Sequence, residues 1–298
     1  DPYADWDNVQ CWEGNYLSNY DTFKQEDVDG DGVKEYIIEN AAQLHFAAAG
    51  IRANQNTTNA SWGKSFVIDP SVDAFIMQPK AAVDKLGIAA FVELSGAEET
   101  REFFEETYTA AGYTPVNWVK DGNTNIFAGD FDGSGVPIYG IYADGIARGN
   151  EHAAFFLAIN GGGTSSTYTD ITFENIVIKN SYFKSFRRTG ILTSIVWGDN
   201  DTRTIVDSCV FGNCYLFGQN LYTKGTTTYL RSSKTDGTID ADISAMGIVA
   251  ATVANAPIQM SNSLVYGNAS RYDFYTATAT SQDNASNMWE YTVNDTTT

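Results

Sequence analysis

Three six-residue segments in the second half of the chain align without a gap: Asn175-Ile176-Val177-Ile178-Lys179-Asn180, Ser208-Cys209-Val210-Phe211-Gly212-Asn213 and Ser263-Leu264-Val265-Tyr266-Gly267-Asn268. Each is a small polar residue, an apolar triplet, a spacer and an Asn. A second kind of segment precedes each one: Ala154-Phe155-Phe156-Leu157-Ala158-Ile159, Gly190-Ile191-Leu192-Thr193-Ser194-Ile195 and Gly247-Ile248-Val249-Ala250-Ala251-Thr252. The step from one kind to the other varies while the strand chemistry stays the same. This points to a coil of short strands joined by loops of unequal length, an all-β parallel β-helix or solenoid. Stacking would place Ile176, Cys209 and Leu264 in one inward column and Ile178, Phe211 and Tyr266 in another. Asn180, Asn213 and Asn268 would form an Asn ladder at a turn, each amide bonding those above and below it. Ordinary antiparallel hairpins of similar composition are the alternative.

Residues 1–35 are polar and acidic and read as an N-terminal cap for the coil, whose body runs over 36–290. Tyr36-Ile37-Ile38-Glu39 has a strand pattern, and Asn40 is placed to cap a short helix over Ala41–Ala49 with Gly50 as its C′ residue. A helical insertion spans 95–112, with Ser95 as N-cap, Glu98 completing a capping box, and Gly112 as terminator. Thr296-Thr297-Thr298 ends a Thr-rich linker over 291–298.

Eighteen Lys+Arg against 37 Asp+Glu give a net charge of −19. That surface repels phosphate backbones and anionic lipid, so nucleic-acid and membrane-surface roles are disfavoured. No run approaches the ~20 apolar residues of a membrane helix. The chain begins at Asp1 without Met or a basic, apolar leader, which is expected after signal removal or in an excised segment. Cys11, Cys209 and Cys214 are an odd set without metal-ligand spacing, and Cys209 and Cys214 read as small core residues.

The stretch Ile126-Phe127-Ala128-Gly129-Asp130-Phe131-Asp132-Gly133-Ser134-Gly135-Val136-Pro137-Ile138-Tyr139-Gly140-Ile141-Tyr142 resembles the opening signature of pectate-lyase-like, GLUG-type β-helix repeats. Such repeats belong to large secreted cell-surface proteins of anaerobic gut and rumen bacteria. Phe173-Glu174-Asn175-Ile176-Val177-Ile178-Lys179-Asn180-Ser181-Tyr182 resembles a rung of that family. Asp29-Gly30-Asp31-Gly32 followed by Tyr36 to Leu44 is similar to its entry segment. The resemblance implies a right-handed coil and an extracellular, secreted or surface-attached location. It implies no reaction.

The catalytic sets that act on polysaccharides from such scaffolds are missing. His45 lies in the first helix, where it reads as packed and hydrogen-bonded, and His152 stands alone. Lys184, Arg187 and Arg188 cluster in a loop-like stretch and read as a solvated corner. Asp199 and Asp201 read as an Asx turn. The strongest metal candidate is Asp27-Val28-Asp29-Gly30-Asp31-Gly32-Val33-Lys34-Glu35. Its carboxylates Asp27, Asp29, Asp31 and Glu35 suit a hard, oxygen-loving cation such as calcium, though Ile38 stands where an EF-hand places its bidentate Glu. An acidic turn leading into the next strand is the other reading. Trp6, Trp12, Trp62, Trp118, Trp197 and Trp289 read mainly as covers for the ends and flanks of the coil.

These observations favour a non-catalytic extracellular module for adhesion, glycan binding or a structural stalk, with a polysaccharide lyase or glycoside hydrolase as the alternative. Calcium is the one cofactor suggested. The partners to expect are a glycan or another surface protein, within a larger multi-module chain.

Overall fold

The computed structural model describes residues 2–50, 61, 63–120, 125–160, 170–198, 202–224, 227–231, 245–254, 257–273, 279–283 and 288–291. A six-stranded sheet runs Val9–Cys11, Ala74–Ile76, Pro137–Tyr139, Val177–Lys179, Val210–Gly212, Leu264–Tyr266, with every pair parallel. A seven-stranded sheet runs Lys24–Glu26, Glu35–Ile38, Ser65–Ile68, Asp130–Asp132, Ile171–Glu174, Thr204–Asp207, Ile258–Ser261. Its first pair is antiparallel and the rest are parallel. Three smaller parallel sheets complete the core. They are Ile126–Phe127 with Ala158–Asn160, Thr193–Trp197 and Ala250–Ala254; Tyr142–Asp144 with Tyr182–Ser185, Tyr215–Gln219 and Ala269–Asp273; and His152–Ala153 with Arg188–Gly190 and Ala245–Gly247. A separate antiparallel sheet joins Leu221–Lys224, Thr227–Arg231, Met288–Tyr291 and Ala279–Asp283.

The expectation of an all-β, right-handed parallel β-helix is therefore corrected. The chain is a mixed α/β fold in which strands are distributed over separate sheets, parallel and antiparallel pairing coexist, and helices are interleaved with the strands. Helices at Lys80–Leu86, Ala89–Val92 and Gly145–Arg148 stand where the repeat pattern suggested short strands and turns. The reason is local. Lys80-Ala81-Ala82-Val83-Asp84-Lys85-Leu86 is a run of good helix formers following Pro79, and Asp144 caps the third helix by accepting from the Ala147 N–H at 2.9 Å. Among the described residues no helix is long and apolar enough to cross a membrane.

The first helix is Ala41–His45, capped by Asn40, whose Oδ1 accepts from the Gln43 N–H at 3.0 Å. It continues as a π-helical turn, Phe46–Gly50, so Gly50 belongs to the helix and does not follow it. The helix Ala97–Glu102 starts at Gly96, and its cap is shifted from expectation. Glu99, not Glu98, receives the Ser95 N–H and hydroxyl, at 2.6 and 2.7 Å. Gly112 closes the helical stretch at φ 88° as anticipated.

Strand register explains the repeat. Val177 and Ile178 pair with Val210 and Phe211, but Val210 and Phe211 pair with Leu264 and Val265. The third segment is thus offset by one residue from the gapless alignment, and the second inward column is Ile178, Phe211 and Val265. Because side chains alternate across a strand, this slip turns Leu264 outward. The reason lies in the turns. Asn175, Ser208 and Asn262 occupy one left-handed turn position, and Gly140, Asn180, Asn213 and Gly267 occupy another. Asn, Gly and small polar residues are those that tolerate this geometry. Glycine is required more strictly at Gly190 and Gly247, which pair with each other. A Cβ at Gly190 would stand 1.9 Å from the Thr193 carbonyl oxygen, and one at Gly247 2.1 Å from that of Ala250.

The Asn amides do not bond one another. Asn180 Nδ2 donates to the Phe91 carbonyl and Asn213 Nδ2 to that of Leu94, both at 2.8 Å, while Asn268 Nδ2 donates to Phe211 at 2.9 Å. The left-handed column thereby fastens the helical segment 80–110 to the strands. Tyr142, Tyr182 and Tyr215, adjacent in register, form the aromatic surface beneath it, and the Tyr182 hydroxyl donates to Glu105 at 2.8 Å. Asn180→Ala is expected to cost about 2–4 kcal/mol, from a stranded carbonyl plus left-handed strain. Asn180→Gly, which keeps the turn and loses only the bond, should cost about half as much. Urea denaturation of both variants checks this, and equal costs would contradict it.

The main core gathers Trp12, Phe66, Phe127, Phe131, Phe155, Phe156, Phe173 and Phe211 from strands of several sheets and from the segments that connect them. Cys209 and Cys214 are buried free thiols within it. Burial pushes the Cys209 thiol up to about 11 and the Cys214 thiol up to about 12, which keeps both protonated and inert.

Candidate metal centre

The acidic loop 27–34 joins Lys24–Glu26 to Glu35–Ile38, the antiparallel pair that opens the seven-stranded sheet. Gly30 and Gly32 adopt φ 80° and 89°, which lets the chain double back on itself within five residues. The carboxylates organise the turn by collecting its amides. Asp27 accepts from the Gly30 and Gly32 N–H groups at 2.8 and 3.1 Å, and Asp29 from that of Asp31 at 3.0 Å. Glu35, buried at the strand start, accepts from the Val28 N–H at 2.7 Å. As a result one carboxylate oxygen each from Asp27, Asp29 and Glu35 lies within 4.8 Å of the others.

Asp31 is the exception among the four anticipated ligands. It stands outside this cluster, and its carboxylate accepts from the Val33 N–H at 2.7 Å. The three gathered carboxylates repel one another by about 1 kcal/mol per pair even in a water-like dielectric. A divalent cation among them reverses that sign. Oxygen-only donors and an open, solvent-facing loop suit calcium, which accepts six to eight oxygens in irregular geometry and fills vacant positions with carbonyls and water.

A second acidic feature lies on the same sheet and escaped sequence reading. Asp132, Glu174 and Asp207 are register partners on three successive strands. Burial, followed by the charges of Asp132, Asp207, Asp130 and Asp29, holds the Glu174 carboxyl above the ordinary range. Hydrogen bonds from Ser261, Asn262 and Ser208 hold that of Asp207 below it. The two outer carboxylates of the ladder are occupied by neighbouring donors. Asp132 accepts from Ser134 N–H and Asn175 Nδ2, and Asp207 accepts from Ser261, Asn262 and Ser208. The signal was present, because the offset aligning Asn175 with Ser208 also sets Glu174 beside Asp207.

The other candidates resolve into packing. Lys184 pairs with Asp144 at 2.8 Å, and Arg187 pairs with Glu151. Lys184 and Arg188 lie on strands, so this group is not the solvated loop corner expected. His45 is buried and stacked on Trp12 at 4.4 Å, and His152 is buried against the Ser194 hydroxyl at 2.6 Å. Trp12 and Trp118 are core residues, not end covers. Asp199, Asp201, Trp62 and residues 292–298 lie outside the described residues, and nothing is described of the Trp289 side chain. A half-open cavity of about 640 Å³ between the N-terminal segment and the helix Lys80–Leu86 is lined by Tyr3, Trp6, Cys11, Lys80 and Asp84. Lys80 is paired with Asp84 at 2.6 Å, and burial pushes the Cys11 thiol up to about 11.

No family model, no curated protein and no solved structure matches this chain. The resemblance to pectate-lyase-like, GLUG-type surface repeats is accordingly withdrawn, because no family model supports it and the sheets and helices depart from that architecture. Both functional readings tied to that scaffold, the adhesion, glycan-binding or stalk module and the lyase or hydrolase, fall with it.

Proposed function

We propose that this chain is a calcium-binding α/β domain whose cation site is the loop 27–35. The observation that supports it is the convergence of Asp27, Asp29 and Glu35 oxygens within 4.8 Å at the opening of the seven-stranded sheet. The cation would be held by these three carboxylates and would tie the antiparallel edge pair Lys24–Glu26 and Glu35–Ile38 to the loop between them. The role is one of binding and local ordering, and no reaction is assigned. An exposed site with three carboxylates belongs to the weaker class of calcium sites, with Kd of about 10⁻⁴–10⁻³ M. Such a site suits an extracellular setting, where calcium is abundant, and that location is part of the same proposal.

Linkage sets the expected size of the effect. At ten to a hundred times Kd a bound cation adds about 1.4–2.7 kcal/mol, or roughly 3–10 °C in Tm for a chain of this size. Melting the protein with a chelator and with millimolar calcium measures it. The rise should vanish in Asp29→Ala and largely persist in Asp31→Ala, whose carboxylate lies outside the cluster. An unchanged Tm in the wild type at saturating calcium would overturn the reading.

A further inference from the structure

We infer that one terminal strand layer, made of five strands lying between Ala245 and Asp273, is a self-association surface that takes a second copy of this chain. Each of its five strands, Ala245–Gly247, Ala250–Ala254, Ile258–Ser261, Leu264–Tyr266 and Ala269–Asp273, is the terminal strand of its sheet. These five sheets therefore end on one layer. The core columns end there too. Ile178 and Phe211 are fully buried, yet their register partner Val265 is 39% exposed. Phe173 and Val206 lead to Met260 at 38%, and Ile159 and Val196 to Val253 at 49%. Three columns of core side chains thus finish in the open, beside the exposed Leu264 and Tyr266. Monomeric proteins rarely leave such contiguous apolar surface uncovered, and open strand edges invite pairing.

Charge identifies the occupant. The chain carries −19, yet residues 245–270 contain no Asp, Glu, Lys or Arg. The only charges in the layer, Arg271 and Asp273, pair with each other at 2.8 Å. Two such neutral faces meet without the repulsion that the rest of this surface would impose, whereas an acidic or basic partner finds no counter-charge there. A second copy also offers what the layer lacks on every side at once: the same three apolar columns and the same strand edges, related by a two-fold axis.

Sedimentation equilibrium of the full chain from about 1 to 200 µM tests this. The expected result is a mass moving from 32.5 kDa to twice that value with concentration, and no further. Val265→Asp, which sets like charges against each other at the centre of the two-fold interface, should weaken dimerisation by about a hundredfold. Because that substitution could also disturb the layer, a second readout uses the wild type alone. Amide exchange over 258–266 should slow as protein concentration rises. A monomer across the range, concentration-independent exchange, or open-ended growth beyond the dimer would each overturn the inference.

Discussion

Phe156→Ala is expected to cost about 3–5 kcal/mol, a large share of the 5–15 kcal/mol that holds a typical domain together. Phe156 is fully buried, and its ring lies 4.7 Å from that of Phe127, 4.8 Å from Phe155, 4.9 Å from Phe173 and 5.3 Å from Phe131. Phe131 and Phe173 belong to the seven-stranded sheet and Phe127 to the sheet of Ala158–Asn160, so the side chain packs these two sheets together. The cavity left by Ala has walls held by sheet pairing and cannot collapse fully, which places the cost toward the upper end. Urea denaturation with an unchanged m-value measures it. A loss under 1 kcal/mol would mean that the aromatic cluster does not carry the core.

The second large effect is a pH dependence centred on His45. The imidazole is buried beneath Trp12, with Tyr16 and Trp118 edge-on at 5.0 and 4.8 Å. Its Nε2 lies 2.9 Å from the Trp118 carbonyl oxygen, which can only accept, so the proton of the neutral ring sits on Nε2. Burial lowers its pKa from an ordinary 6.5 to about 4. A group whose folded pKa lies below its unfolded one binds protons more readily when unfolded, so acid favours unfolding. The contribution is complete above about pH 6.5 and is lost as pH falls toward 4, to a total of about 3 kcal/mol. His45→Phe keeps a flat ring against Trp12 and removes the titration. The stability difference between wild type and His45→Phe should therefore move against the wild type by about 3 kcal/mol between pH 7 and pH 4. Carboxylates titrate equally in both proteins and cancel. A difference that stays flat with pH would show that His45 does not titrate this way.

What could be read from the residues was the local grammar of the strands. The pairing of Asn175-Ile176-Val177-Ile178 with Ser208-Cys209-Val210-Phe211 follows from turn residues and alternation, and the structure has it in that register. The third segment failed by one residue, because Gly267 and Asn268 are both competent for a left-handed turn and the pattern alone does not choose between them. Global architecture was less legible. Helix Lys80–Leu86 sits in a stretch too short for periodicity to declare itself, and the sheets are assembled from residues 30–60 positions apart. At the acidic loop, carboxylate spacing pointed to four residues, of which Asp27, Asp29 and Glu35 converge in space. Asp31 could not be set aside beforehand, since its role as acceptor for Val33 depends on how Gly30 and Gly32 turn the chain. The turn amides were misassigned for a related reason. Asn180 and Asn213 face a helical segment some 90–120 residues earlier in the chain, a distance at which spacing carries no information.

Three carboxylates from one short loop would form the cation site proposed above. Isothermal calorimetric titration of calcium into the chelator-treated full chain addresses it directly. The expected result is one site per chain, with Kd of about 10⁻⁴–10⁻³ M, lost in Glu35→Gln and in Asp29→Ala and retained in Asp31→Ala. Absence of binding at millimolar calcium, or binding left intact by Glu35→Gln and Asp29→Ala together, would contradict it.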